Sequence, residues 1–150
     1  MDENAASGST SKFDTLNSQI LIPSTIFCDR SLSFLESLVE YLKDQIKLSY
    51  HDISVLTNRD ERNIWTLYNR ASKKRTVREP IVGKAHIVNI PLSVVTDRSL
   101  SILEVVVEYM RDKASFTNHE IAVLLNRSDK TVSTVYMRTK KKRSKLAKAM

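Results

Sequence analysis

The side chains of this 150-residue chain that are able to do chemistry fall into two sets. The first would bind a metal or attack a substrate. His51 stands beside Asp52, His119 stands beside Glu120, and Cys28 is the single cysteine. A zinc site needs three or four ligands at close spacing, and neither histidine has a second ligand at a useful distance along the chain. A nucleophilic thiol needs a base to activate it, and Cys28 has no paired histidine motif. One cysteine also rules out an internal disulfide and a Cys-rich zinc site. No catalytic dyad and no glycine-rich phosphate loop stand out among only two glycines. The sequence predicts no enzyme, no cofactor and no metal.

The second set suits nucleic acid. Arg62, Asn63, Trp65, Thr66, Asn69 and Arg70 lie close together, and so do Lys130, Thr131, Ser133, Thr134, Met137 and Arg138. Arginine pairs two-pronged with guanine and asparagine with adenine, so such residues on a helix read base edges in the major groove. Each group runs into a basic cluster: Lys73, Lys74 and Arg75, then Lys140, Lys141, Lys142 and Arg143. Clusters of that kind suit phosphate contacts, which set affinity and register rather than sequence preference. Trp65 has two readings, against a thymine methyl or sugar-phosphate wall, or packed on the linker or the other half of the chain.

These groups recur because the chain contains itself twice. Residues 22–75 align with 90–143 at a constant offset of 68, without a gap and with 25 identities in 54 positions. The remainder divides around them: a polar tail over 1–19, repeats over 20–75 and 88–143, a linker over 76–87 with a proline and a glycine, and a basic tail over 144–150. The formal net charge is +7, from 24 basic and 17 acidic residues. Most of the excess lies in the repeats and the basic tail, and no acidic residue follows Asp129. That balance points to an anionic partner.

Each repeat reads as three helices behind a short apolar segment. The segments IPSTIF and IPLSVV at 22–27 and 90–95 fit either an extended arm or a strand pairing the two copies. Leu32, Leu35, Val39, Leu42 and Ile46 then mark a helix over 31–46, with Leu100, Leu103, Val107, Met110 and Ala114 marking one over 99–114. Phe34, Leu38, Ile102 and Val106 widen that stripe, for a broad core face or for packing between repeats or protomers. Ser49-x-x-Asp52 and Thr117-x-x-Glu120 have capping-box form, so second helices start at Tyr50 and Asn118. They stop at Asn58 and Asn126, since asparagine best replaces glycine in the left-handed turn. Third helices follow Asp60 and Ser128 as N-caps. Ile64, Leu67, Tyr68 and Ala71 face their core, as do Val132, Val135, Tyr136 and Thr139. The fold class is therefore all-α: two tandem three-helix repeats with a short extended or strand segment before each.

A short helix, a tight turn and a second helix with a polar outer face is the helix-turn-helix plan. Residues 120–143 resemble the DNA-binding helix-turn-helix of LuxR-type regulators and of the fourth region of bacterial sigma factors. Glu120, Ile121, Ala122, Leu125, Ser128, Thr131 and Val132 match its pattern, and Arg138, Lys141 and Lys142 fit its basic end. The first copy diverges at Asp52, Ser54, Thr57, Asp60 and Asn63. The resemblance covers about 24 residues per copy and implies DNA binding through the third helix.

The expectation is a sequence-preferring double-stranded DNA binder, a transcriptional regulator whose two third helices read half-sites about 34–36 Å apart. Because the outward residues of the copies differ, the half-sites should differ, as an imperfect palindrome or a direct repeat. The rivals are a nucleoid-type structural DNA binder and a protein-interaction adaptor on the same fold. Contact with RNA or RNA polymerase stays open, as does a homodimer, because units this small bury little surface alone. No apolar run approaches the roughly 18 residues of a membrane span, and no signal peptide is evident at the N-terminus. The expected location is the cytoplasm, at the nucleoid.

Overall fold

A computed structural model describes residues 19–75 and 87–149. The expected N-terminal tail, apart from Gln19, and the linker, apart from Ile87, lie outside the described residues. The chain order is β1 (Leu21–Pro23), a 3-10 turn (Ser24–Phe27), α1 (Phe34–Asp44), α2 (Tyr50–Thr57) and α3 (Glu61–Lys74). The same order follows as β2 (Asn89–Pro91), a 3-10 turn (Leu92–Thr96), α4 (Ile102–Glu108), α5 (Asn118–Leu125) and α6 (Asp129–Ala149). The described residues are mostly helical, with one short two-stranded sheet among them.

The apolar segment before each set of helices is in part a strand. β1 and β2 pair antiparallel, with Leu21 opposite Pro91, Ile22 opposite Ile90 and Pro23 opposite Asn89. Ile22 and Ile90 are both buried, so this pair joins the hydrophobic core as well as the backbone ladder. The strands are short because a proline ends each one and the backbone tightens into the 3-10 turn beyond it.

The first helices are shorter than their apolar stripes suggest. Both start where a serine caps them. Ser33 Oγ accepts from the Glu36 N–H at 3.1 Å and Glu36 Oε1 accepts from the Ser33 N–H at 2.8 Å; Ser101 and Glu104 repeat this box. Asp29 and Ser31, upstream, form a turn of their own. In the second copy α4 widens into a π-helical stretch over Tyr109–Lys113. Both helices then close alike, with the Leu48 N–H on the Leu42 carbonyl and the Phe116 N–H on that of Met110. Lys47 and Ser115 supply the left-handed residue inside these closures.

The expected second helices start behind Ser49 and Thr117 and end at left-handed Asn58 (φ 56°) and Asn126 (φ 56°). Third helices start after Asp60 and Ser128, whose side chains accept from the Arg62 and Thr131 N–H groups. One boundary differs. The sequence predicts a basic tail from Ser144, but α6 continues as a single helix to Ala149. Nothing between Arg143 and Ala149 breaks it: Lys, Leu and Ala all favour helix.

The core is one cluster drawn from both copies. Phe27, Leu38, Leu42, Ile53, Leu56 and Ile64 are buried in the first, and Leu92, Leu100, Val106, Met110, Ile121 and Val132 in the second. The copies are also tied by hydrogen bonds that run both ways. The Ser24 N–H donates to Val88 O (2.8 Å) and the Leu92 N–H to Ile20 O (2.9 Å). Asn58 Nδ2 donates to Thr96 O and Asn126 Nδ2 to Cys28 O, both at 3.1 Å. Each turn asparagine thus shapes its own loop and grips the other copy.

Candidate nucleic-acid interface

α3 and α6 are placed by the same device in each copy. One side of each packs into the core through Ile64 and Ala71, or through Val132, Val135 and Thr139. Acidic residues of the first helix then hold its basic end. Lys74 Nζ lies 2.8 Å from Glu36 Oε1, and Lys142 Nζ lies 2.9 Å from Glu104 Oε1. Arg75 Nε lies 2.8 Å from Glu40 Oε1, and Arg143 meets Glu108 and Asp97 at 2.9 Å each. Tyr68 donates to Asp44 and Tyr136 to Asp112, both at 2.8 Å. Lys140 adds contacts to Asp112 and Glu108.

The glutamates at the centre of these networks are buried. The Glu104 side chain is 1% exposed and that of Glu36 is 3% exposed, whereas their cations are about half exposed. Burial pushes the Glu104 carboxyl up. The Ser101 N–H, Lys142, Arg138 and the Ser101 hydroxyl outweigh it and bring it down to about 2. Burial acts on Glu36 in the same way, and there Lys74 and the Ser33 groups outweigh it, leaving it below the ordinary carboxylate range. Arg138 is the extra cation of the second copy, with Nε 3.0 Å from Glu104 Oε2.

The basic clusters therefore divide. Lys74, Arg75, Lys140, Lys142 and Arg143 are engaged by carboxylates of this chain. Lys73 and Lys141 are exposed and form no ion pair among the described residues. Helical geometry explains the split: at about 100° per residue, Lys141 falls on the side away from the core and Lys142 and Arg143 turn back toward it. Lys145 and Lys148 extend the Lys141 side along α6, at spacings of four and three, and are exposed as well. The expected tail boundary kept these two apart from the helix. Their spacing is the signal that finds them, once the helix is taken past Arg143.

The expected base-reading residues share the outward face of their helix. Arg62, Asn63, Arg70, Lys130, Thr131, Thr134 and Arg138 are exposed, and Thr66, Asn69 and Ser133 are half-buried. Trp65 is 54% exposed and Met137 70% exposed, so the tryptophan keeps a large face toward solvent. Several of the group already have local bonds: Thr66 donates to Arg62 O, Asn69 Nδ2 to Trp65 O, and Thr131 shares its hydroxyl with Ser128. Arg62, Asn63, Arg70, Lys130 and Thr134 have no side-chain hydrogen bond or ion pair among the described residues.

The metal and thiol candidates sit elsewhere. His51 lies 3.6 Å from Glu61 and His119 lies 2.9 Å from Asp129. Each links the start of a second helix to the start of the third. The Cys28 Sγ donates to Leu124 O at 3.0 Å, across to the other copy. Among the described residues no three His, Cys, Asp or Glu side chains are grouped to hold a metal ion. Among them, too, no helix is long and apolar enough to cross a membrane. Comparison with protein-family models, curated proteins and solved structures found no match to this chain.

Proposed function

We propose that the chain is a sequence-preferring double-stranded DNA-binding protein, built as two tandem helix-turn-helix repeats and acting as a non-enzymatic transcriptional regulator in the cytoplasm, at the nucleoid. One observation carries the reading. In both copies a short helix and a left-handed asparagine turn present a longer helix whose outward face holds Arg, Asn, Lys and Thr side chains that, apart from Arg138, have no ion-pair partner among the described residues. A helix of that size and chemistry fits the major groove. Arg62, Asn63, Trp65, Thr66, Asn69 and Arg70 are the base contacts of α3. Lys130, Thr131, Ser133, Thr134, Met137 and Arg138 are those of α6.

Lys73 and Lys141 are the phosphate contacts of this reading, with Lys145 and Lys148 continuing the line. Lys74, Arg75, Lys140, Lys142 and Arg143 hold the helices in place and add to the positive field around them. The test is binding to labelled duplexes over a range of salt. Replacing Lys73 and Lys141 by Ala should reduce the slope of log affinity against log salt by about 1 for each phosphate no longer neutralised. Replacing Lys74 and Lys142 should instead lower stability. Unchanged binding to every duplex in Arg70→Ala together with Arg138→Ala would refute the third-helix assignment.

A second reading, a protein-interaction adaptor, is favoured by the exposed apolar side chains Trp65, Met137 and Val123. It requires a protein partner whose binding is indifferent to salt and is weakened by Trp65→Ala.

A further inference from the structure

The strand register carries more than a connection. The offset between copies is 68, and Ile22 faces Ile90, its own counterpart. Leu21 faces the counterpart of Pro23, and Pro23 faces the counterpart of Leu21. A pairing that exchanges the copies and reproduces itself is the signature of a two-fold axis, here passing between Ile22 and Ile90. Bonds away from the strands obey the same exchange. Asn58 binds the carbonyl of Thr96, the counterpart of Cys28, and Asn126 binds the carbonyl of Cys28. A head-to-tail arrangement, related by translation, would give contacts in one direction without their reciprocals.

α3 and α6 are therefore related by an approximate half-turn. Duplex DNA has local two-fold axes perpendicular to its own axis, and readers related by a half-turn match inverted half-sites; direct repeats demand a translated pair. The axis is only approximate in chemistry. Arg62, Asn63, Trp65 and Asn69 stand where the other helix has Lys130, Thr131, Ser133 and Met137. α3 ends at Lys74, whereas α6 continues to Ala149 and carries Lys145 and Lys148 beyond the point equivalent to the end of α3.

We infer that one copy of this chain is a complete reader of an inverted pair of unequal half-sites, its internal two-fold doing what dimerisation does in proteins with one reading helix. The inference rests on the DNA reading above and adds the orientation of the halves, their inequality and the stoichiometry. The contact is also lopsided, reaching further along the phosphates on the α6 side.

The experiment is selection of bound duplexes from a random pool by the full chain, followed by native mass spectrometry on the best duplex. The expected result is a two-part motif with inverted, non-identical halves, bound by one chain. Turning one half around, into direct orientation, should weaken binding at least tenfold. The combined variant Arg62→Lys, Asn63→Thr, Trp65→Ser and Asn69→Met gives α3 the reading side chains of α6. It should select a motif whose halves are nearly alike, still inverted. A direct repeat, a single uninterrupted element or two chains per duplex would overturn this inference and leave DNA recognition standing. Salt-dependent binding with no enriched motif would overturn it in favour of a coating protein. Absence of any salt-dependent binding would overturn the DNA reading as well.

Discussion

The two copies share a skeleton and differ in how it is finished. Three of the contacts that hold the third helix against the first recur: Glu36 and Lys74 with Glu104 and Lys142, Glu40 and Arg75 with Glu108 and Arg143, Asp44 and Tyr68 with Asp112 and Tyr136. Of the six expected base-reading positions on each helix, only Thr66 with Thr134 and Arg70 with Arg138 are identical. Inside, the first copy stacks Phe27 on Phe34 at 4.7 Å, and Arg127 of the second lies over the Phe34 ring. The second copy has Val95 and Ile102 at those two positions, and the counterpart of Arg127, Arg59, bonds the Val95 carbonyl instead. The shared residues are the ones that orient a helix, and the divergent ones are largely those the helix shows to solvent. Placement is held constant while the exposed chemistry changes.

The largest test of that contrast lies in the buried glutamates. Glu104 holds two cations and Glu36 one. Glu104→Gln should cost about 3 kcal/mol and Glu36→Gln about half of that, since breaking a buried pair strands the remaining charges. Denaturant midpoints of the two variants decide it, and equal losses would erase the difference between the copies. The pH dependence has a fixed sign. The folded Glu104 carboxyl is lowered from 4.5 to about 2, so its contribution is complete above 4.5 and vanishes as pH falls through about 2. Glu104→Gln should flatten acid unfolding across that window.

Next in size is the shared arginine. Arg70 is unpaired among the described residues, whereas Arg138 is tied to Glu104. Arg70→Ala should therefore reduce affinity for a selected duplex more than Arg138→Ala, by about 1–3 kcal/mol for the absent two-pronged base pairing. Titration by fluorescence anisotropy at one salt concentration ranks them, and the reverse order would mean that Arg138 leaves its carboxylate on binding.

A smaller effect concerns the core. The Ser37 hydroxyl is buried with no hydrogen-bond partner among the described residues, and Val105 holds the equivalent place. Ser37→Val should stabilise the first copy by about 1 kcal/mol, the typical penalty of an unmet buried hydroxyl, and raise the melting temperature. Smallest are the turn asparagines. Asn58→Gly and Asn126→Gly keep the left-handed backbone and remove the bond to the other copy. Each should change stability by only a few tenths of a kcal/mol, because easier turn geometry offsets the missing bond. A much larger loss in either would show that this bond dominates the contact between copies.

Much of the helical skeleton is legible in the sequence, because caps and apolar spacing are local. Ser49, Thr117, Asp60 and Ser128 mark helix starts by their own hydrogen bonds, and Asn58 and Asn126 mark ends by their backbone preference. The inward faces of α3 and α6 follow from the same periodicity. The division of the basic clusters is not legible, because runs such as KKKR look uniform along the chain. Only the partner helix, some 35 residues earlier, shows that Lys142 and Arg143 meet carboxylates and that Lys141 meets none among the described residues. The strand pair is one of two options in the sequence for the same reason: three residues carry too little pattern to announce a partner 68 positions away. The half-turn between the copies is a property of that pairing and has no local signal at all.

One consequence of joining β1 and β2 within a single chain concerns abundance. Two separate subunits part on dilution, so a dimeric reader is scarce when its gene is weakly expressed. Here the halves meet intramolecularly, at an effective concentration on the order of millimolar for a short tether, whatever the number of molecules in the cell. Their pairing has no threshold in protein dose. A substitution also enters one half alone, whereas in a symmetric dimer it appears in both, so the outward face of one third helix is free to drift while that of its neighbour stays unchanged.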